Sequence, residues 1–185
     1  MLQMKSYSSS LAGSIRGFGL LECMTVLMIT AILVSLLRPS FRDLIDTVRV
    51  VTAANQLYAA IGHARSEAMK RGMRVDLIPM RAKDFSHGWV VIVDSNTNHV
   101  ADAGEIIVQR SSGLPHNLEI KTQLRDNAFP YLAFDPSGRP RSNASSDLPQ
   151  IGSLLLTVGQ KKRKLIMAFL GRVRICDPDK SSSTC

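Results

Sequence analysis

One stretch constrains the fold more than any other: from Phe18 to Leu37 there are 20 residues and a single formal charge, Glu22. A helix of that length rises about 30 Å, the thickness of a bilayer's hydrocarbon core. A cleaved secretory signal has a shorter apolar core of about 7–15 residues and a small-residue cleavage site. This run ends instead in Leu36-Leu37-Arg38-Pro39-Ser40. The sequence therefore predicts a membrane-spanning helix over 18–39 that Pro39 kinks or interrupts. Basic residues flank both ends (Lys5 and Arg16 before, Arg38, Arg42 and Arg49 after), so charge bias alone does not orient it. A carboxylate at the centre of such a helix costs about 2.5–3.5 kcal/mol. In the first turns the positive dipole end offsets part of that cost for Glu22, and a cationic partner would offset more.

Beyond the span, Phe41, Leu44, Val48, Val51, Ala54, Tyr58, Ile61, Arg65 and Ala68 recur at three-to-four spacing. They predict an amphipathic helix over 40–72, with Lys70-Arg71 as a basic last turn and Gly72 as its C-cap. After Gly72 the pattern changes to short strands, expected at 73–78, 88–94, 105–110, 117–124, 131–135, 153–158, 164–169 and 172–176. Trp89 and the Val90–Val93 run read as sheet core. Asp135-Pro136-Ser137-Gly138 is a turn, and the Pro/Ser-rich 139–150 is expected to be a mobile loop. The fold class is thus α+β, a long N-terminal helix packed on antiparallel sheet.

The formal charge of +8 is unevenly placed: residues 161–185 hold seven basic groups against Asp177 and Asp179. That makes a local patch. Of the three cysteines, Cys23 lies in the apolar run, while Cys176 and Cys185 flank a short segment opened by Asp177-Pro178. A Cys176–Cys185 disulfide is expected in an oxidising compartment, with two free thiols as the alternative. Asp94, Asn96, Asn98, Val100, Asp102 and Glu105 stand at calcium-loop spacing, but His99 occupies the position that needs glycine. An Asx-rich connection between strands is the favoured reading. His63, His87, His99 and His116 are dispersed, without HExxH or CxxC, and no phosphate-binding or nucleophile motif is present. Nothing in the sequence argues for catalysis, a metal or a cofactor.

Gly17-Phe18-Gly19-Leu20-Leu21-Glu22, after Arg16 and before the long apolar helix, resembles the class III signal of type IV pilins and pseudopilins. The resemblance implies a leader over 1–17, cleavage between Gly17 and Phe18 by a prepilin peptidase, and methylation of the new N-terminal Phe18. It also implies that Glu22 pairs with the N-terminal amine of a neighbouring subunit during assembly. Gly19 and Cys23 depart from the usual residues at their positions. Further along, ARSEAMKRG (64–72), GWVVIVD (88–94), the loop ending Asp102-Ala103-Gly104-Glu105, AFDPSGR (133–139) and GRVR (171–174) together resemble the FimT/GspH family of minor pilins. GRVR near a cysteine points to the FimT branch, over a β-rich domain of 73–185. The resemblance implies an inner-membrane protein with a periplasmic C-terminal domain that joins other pilins through its N-terminal helix. In competent bacteria that branch is associated with binding DNA for uptake. Related members instead prime a pilus or a type II secretion pseudopilus.

The stretch KKRKLIMAFLGRVR (161–174) holds six basic residues and no acid. On a strand over 172–176, Arg172 and Arg174 project from one face, about 7 Å apart, while Val173 and Ile175 face the core. Each guanidinium can hold a phosphate oxygen, and Lys161, Lys162, Arg163 and Lys164 are expected close by. Such contacts are sequence-independent and salt-sensitive. Within the two basic clusters no aromatic is interleaved (Phe169 lies in the apolar run between them), so duplex backbone binding is the expected mode. The competing reading is a solvated turn and an edge strand whose charges block aggregation.

Overall fold

In the computed structural model of the chain, the described residues are 17, 19–81, 83–111, 113–126, 128–144, 148–180 and 185, with only the backbone described for 36–40. Residues 1–16 and Phe18, on which the expected leader and cleavage site fall, therefore lie outside the description. The chain divides into two compact units, Met1–Phe41 and Arg42–Cys185.

A single helix, α1, runs Leu20–Arg71. It passes through position 39 without interruption, so of the two expectations for Pro39 a break is not met. A proline removes one i→i−4 hydrogen bond and crowds one carbonyl, which a helix continuing on both sides can absorb. Every described side chain from Leu20 to Ser35 is exposed. Among the described residues no helix is long and apolar enough to cross a membrane. The span read from the sequence also takes in Phe18 and the side chains of Leu36 and Leu37, which are outside the description.

In the second unit, α1 presents a seam of Val50, Ala53, Ala54, Leu57, Ala60, Ile61, Ala64 and Ala68, all buried. The alanines leave room for backbones to approach, so one helix can serve two sheets at once. The first sheet holds β3 (Ile106–Arg110), β2 (Asp84–Val93), β1 (Val75–Arg81), β5 (Leu132–Phe134) and β6 (Pro140–Arg141), in that order. The second holds β4 (Leu118–Leu124), β7 (Gly152–Val158), β8 (Lys161–Met167) and β9 (Val173–Cys176). All strand pairs are antiparallel. Inward residues of both sheets, among them Leu77, Trp89, Val91, Phe134, Leu156 and Leu165, join the helical seam in one core.

The first two strands form a longer hairpin than the expected 73–78 and 88–94, with Arg81 pairing with Asp84, and two further differences have identifiable reasons. β6 lies inside the stretch read as a loop, because Pro140 and Arg141 pair with Phe134 and Ala133 across the Asp135–Gly138 turn. β8 begins at Lys161 instead of 164, because Val158 pairs with Lys161 around Gly159-Gln160. Gly159 has φ 58° and stands where a Cβ would lie 2.5 Å from an Asp46 carboxylate oxygen, so this two-residue turn needs glycine. The KKRK segment is consequently strand, and its side chains alternate between faces.

Candidate nucleic-acid interface

The arginines of GRVR are carried by the β8–β9 hairpin, at the edge of the second sheet. Its connection is a tight turn in which the Gly171 N–H donates to the Ala168 carbonyl at 2.9 Å and the Ala168 N–H donates to the Arg172 carbonyl at 2.9 Å. Gly171 is buried with φ 77°, and a Cβ there would meet Pro140 Cδ at 3.2 Å and the Gly138 carbonyl oxygen at 3.3 Å. From α1, Arg65 Nη1 donates to the Gly171 carbonyl at 3.3 Å. The helix motif, the AFDPSGR turn and GRVR thus meet at one point. That contact explains why residues so distant in sequence occur together: they fix the turn from which Arg172 and Arg174 project.

Val173 and Ile175 pack against the core, leaving Arg172 and Arg174 exposed on the alternate positions. Neither arginine has an acidic partner among the described residues. The KKRK residues differ: each basic group is already engaged. Lys161 Nζ lies 3.2 Å from Asp43 of α1, Lys162 Nζ 3.6 Å from Asp179, and Arg163 Nη1 2.6 Å from Asp177. Lys164 Nζ donates to the main-chain oxygen of Cys185 at 3.1 Å. The register also separates the two groups. Cys176 pairs with Lys164 and Val173 with Met167, so Lys161 stands six positions from the turn end, about 20 Å along the strand. Only Lys164, on the same outer face as Arg174, stays within two positions of it along β8.

Asp177 and Asp179, which pair with Arg163 and Lys162, belong to the C-terminal segment bounded by the disulfide between Cys176 and Cys185. At the other end of the chain, Gly17 is exposed, and Glu22 lies exposed in the first turn of α1, its N–H donating to the Gly19 carbonyl at 3.0 Å. Cys23 is a free thiol.

Several features escaped sequence reasoning. Tyr58, half exposed on α1, lines one groove with Arg172 and Arg174, and Phe169 sits exposed at the tip of the β8–β9 turn. The expectation that no aromatic accompanies the basic residues is therefore corrected. Tyr58 is more than 100 positions away in sequence and only the fold brings it there.

The outer face of the first sheet also carries a buried polar network that spacing did not reveal. Asp76, fully buried, accepts from Arg74 Nε at 2.7 Å and Nη2 at 3.0 Å, and from His99 Nδ1 at 2.8 Å. Asp94 accepts the N–H groups of Thr97 and His99, and burial followed by the nearby Asp76 carboxylate pushes its carboxyl up. Asp76, Asp94 and His99 place potential ligand atoms within 4.8 Å of one another. Arg74 supplies a positive charge there, and each oxygen of Asp76 and Asp94 already accepts at least one hydrogen bond. In the calcium-like loop, Asn96 and Asn98 both donate to Asp102 and hold its carboxyl below the usual range. The loop's oxygens thus serve its own amides, as an Asx-rich connection requires. His99 makes the sharp turn with φ 61° in place of glycine. A cavity of about 490 Å³ lies beside β2 and β4 and is lined by both His87 and His116; His87 Nδ1 there faces Asp84 at 3.1 Å. It is lined by none of the exposed arginines.

Comparison with known proteins agrees with this architecture. Residues 53–171 match the family described as type II transport protein GspH. Two crystal structures of the type IV minor pilin FimU from Pseudomonas aeruginosa strain PAO1 are similar to this chain at 19% identity. One has a TM-score of 0.54, covering 70% of this chain and 90% of FimU; the other has 0.52, covering 69% and 93%. No curated protein matches the chain. The family match spans well over half of its length, so the chain belongs to the GspH family, with the helix-on-antiparallel-sheet fold also seen in FimU.

Proposed function

We propose that this minor pilin is incorporated into a type IV pilus and binds DNA without sequence preference through Arg172 and Arg174, as DNA uptake requires. Minor pilins of this family assemble with other pilins, in a pilus or at the cell surface. One observation carries the DNA reading: two exposed guanidiniums, one just before and one on an edge strand, have no acidic partner among the described residues, whereas Lys161, Lys162 and Arg163 each lie within 4 Å of a carboxylate. An anion is the ligand such a pair lacks, and a polyphosphate backbone presents anions regardless of sequence. Lys164 extends the patch. Lys161, Lys162 and Arg163 contribute to the general field more than to direct contact.

In the same reading, a prepilin peptidase cleaves after Gly17 and Phe18 becomes the methylated N-terminus. Before assembly the helix stands in the inner membrane, with the C-terminal domain in the periplasm, where the disulfide between Cys176 and Cys185 can form. The second reading is a structural subunit that primes a pilus or a type II secretion pseudopilus and binds no DNA. Its support is the exposed apolar length of α1, including Leu20, Leu27, Phe41, Leu44 and Val48.

The test is DNA binding by the full chain in detergent at two salt concentrations, with and without Arg172→Ala/Arg174→Ala. Removing two phosphate contacts should lower the log–log salt slope by about 1.8 and weaken binding at low salt by at least about tenfold. Binding that survives both substitutions sinks the site. No wild-type binding at low salt leaves the priming subunit as the function.

A further inference from the structure

We propose that the groove between α1 and β9 is a stacking subsite for an unpaired nucleobase, so that the site prefers single-stranded DNA. This rests on the DNA-binding reading above and specifies the form of DNA taken. The groove has a volume of about 390 Å³, within the range of small-molecule clefts. Tyr58 stands at one side, 46% exposed, and Ala59, Ile61 and Gly62 line it from the helix. A Cβ built at Gly62 meets nothing within 4 Å, so that part of the helix surface is open. Arg172 and Arg174 line the opposite side from β9.

The combination is an aromatic face, a shallow apolar floor and two cations with no acidic partner among the described residues. It matches what a single-stranded chain offers: a π-face to stack and phosphates to pair. A duplex offers only phosphates, because its bases are stacked inside and extracting one costs a few kcal/mol. Arg65 holds the geometry. Its Nη1 bonds the Gly171 carbonyl and its Nε is buried near Gly138 and without a partner, so the arginine-bearing turn is fixed against the same helix that carries Tyr58.

Fluorescence anisotropy on the full chain in detergent tests this with three probes of equal length: oligo-dT, the corresponding abasic strand, and a blunt duplex. Wild type should bind oligo-dT at least about fivefold tighter than the abasic strand. Tyr58→Ala should weaken oligo-dT binding roughly 5- to 100-fold while leaving the abasic strand and the duplex within about twofold. Tyr58→Phe, which keeps the ring, should retain the preference. Equal effects of Tyr58→Ala on all three probes, or no effect on oligo-dT, overturn the stacking subsite. In either event the DNA reading stands if Arg172→Ala/Arg174→Ala weakens all three. Failure of wild type to bind any probe overturns both.

Discussion

Asp135 shows how a single carboxylate can hold a functional turn in place. Burial raises its pKa, but the Ser137 hydroxyl, the Arg139 N–H and the Arg141 guanidinium outweigh that and hold the carboxyl below its ordinary value. The contacts are short: Ser137 Oγ at 2.6 Å, Arg139 N at 3.0 Å and Arg141 Nε at 2.8 Å. Because the folded pKa lies below the unfolded one, this stabilisation is fully present above the unfolded value near 3.9. It is lost as pH falls through the depressed folded value. Asp135→Asn should therefore lower stability by about 1–3 kcal/mol at neutral pH. In urea titrations the gap between variant and wild type should close as pH falls below the unfolded value near 3.9 and through the depressed folded one. A gap that persists in acid would show that shape, not charge, sets the turn. Since Gly138 in this turn packs beneath Gly171, loosening it should also loosen the presentation of Arg172.

At the scale of elements, the helix and most strands were legible from periodicity and turn residues, while the packing seam was only half legible. Of the positions read at three-to-four spacing, Ala54, Ile61 and Ala68 are buried, but Phe41, Leu44, Val48 and Tyr58 are exposed. The seam instead runs through Ala53, Leu57, Ala60 and Ala64. Hydrophobicity misleads here because the helix has apolar residues on more than one side, and the sheets select its small residues. The site divides the same way. Arg172 and Arg174 follow from strand alternation, whereas Tyr58 and the acidic partners of KKRK depend on tertiary placement. An overpacking test follows from the alanine seam. Ala64→Leu adds three carbons at a position of zero exposure between two sheets. It should cost about 1–3 kcal/mol, read as a lower urea midpoint at unchanged slope. The same substitution at exposed Ala59 should be within about 0.5 kcal/mol of wild type. Equal tolerance at both positions would mean that the sheets do not close on this face of α1.

For the whole molecule, the decisive residue is Glu22, in the N-terminal part of α1, where the described apolar side chains are exposed. Leu20, Leu21, Met24, Leu27, Met28 and Ile29 are all more than half exposed. Such a surface is unfavourable in water, and in the proposed function it would be covered by lipid before assembly and by other subunits afterwards. Glu22 opposes the first and serves the second. Inserted alone, its carboxylate adds up to about 2.5–3.5 kcal/mol to the cost of burial, less near the interface. In the proposed assembly a neighbour's free N-terminal amine would give it a charge-assisted hydrogen bond, and removing one member of a buried pair costs about 3–5 kcal/mol. Glu22→Ala should therefore enter the membrane at least as well as wild type yet be strongly depleted from sheared pili, and Glu22→Gln should share the defect because it keeps shape without charge. Normal recovery of Glu22→Ala in pili, measured against its membrane pool, would mean that apolar packing of α1 alone recruits the subunit. Glu22 would then be only a tolerated charge near the helix start.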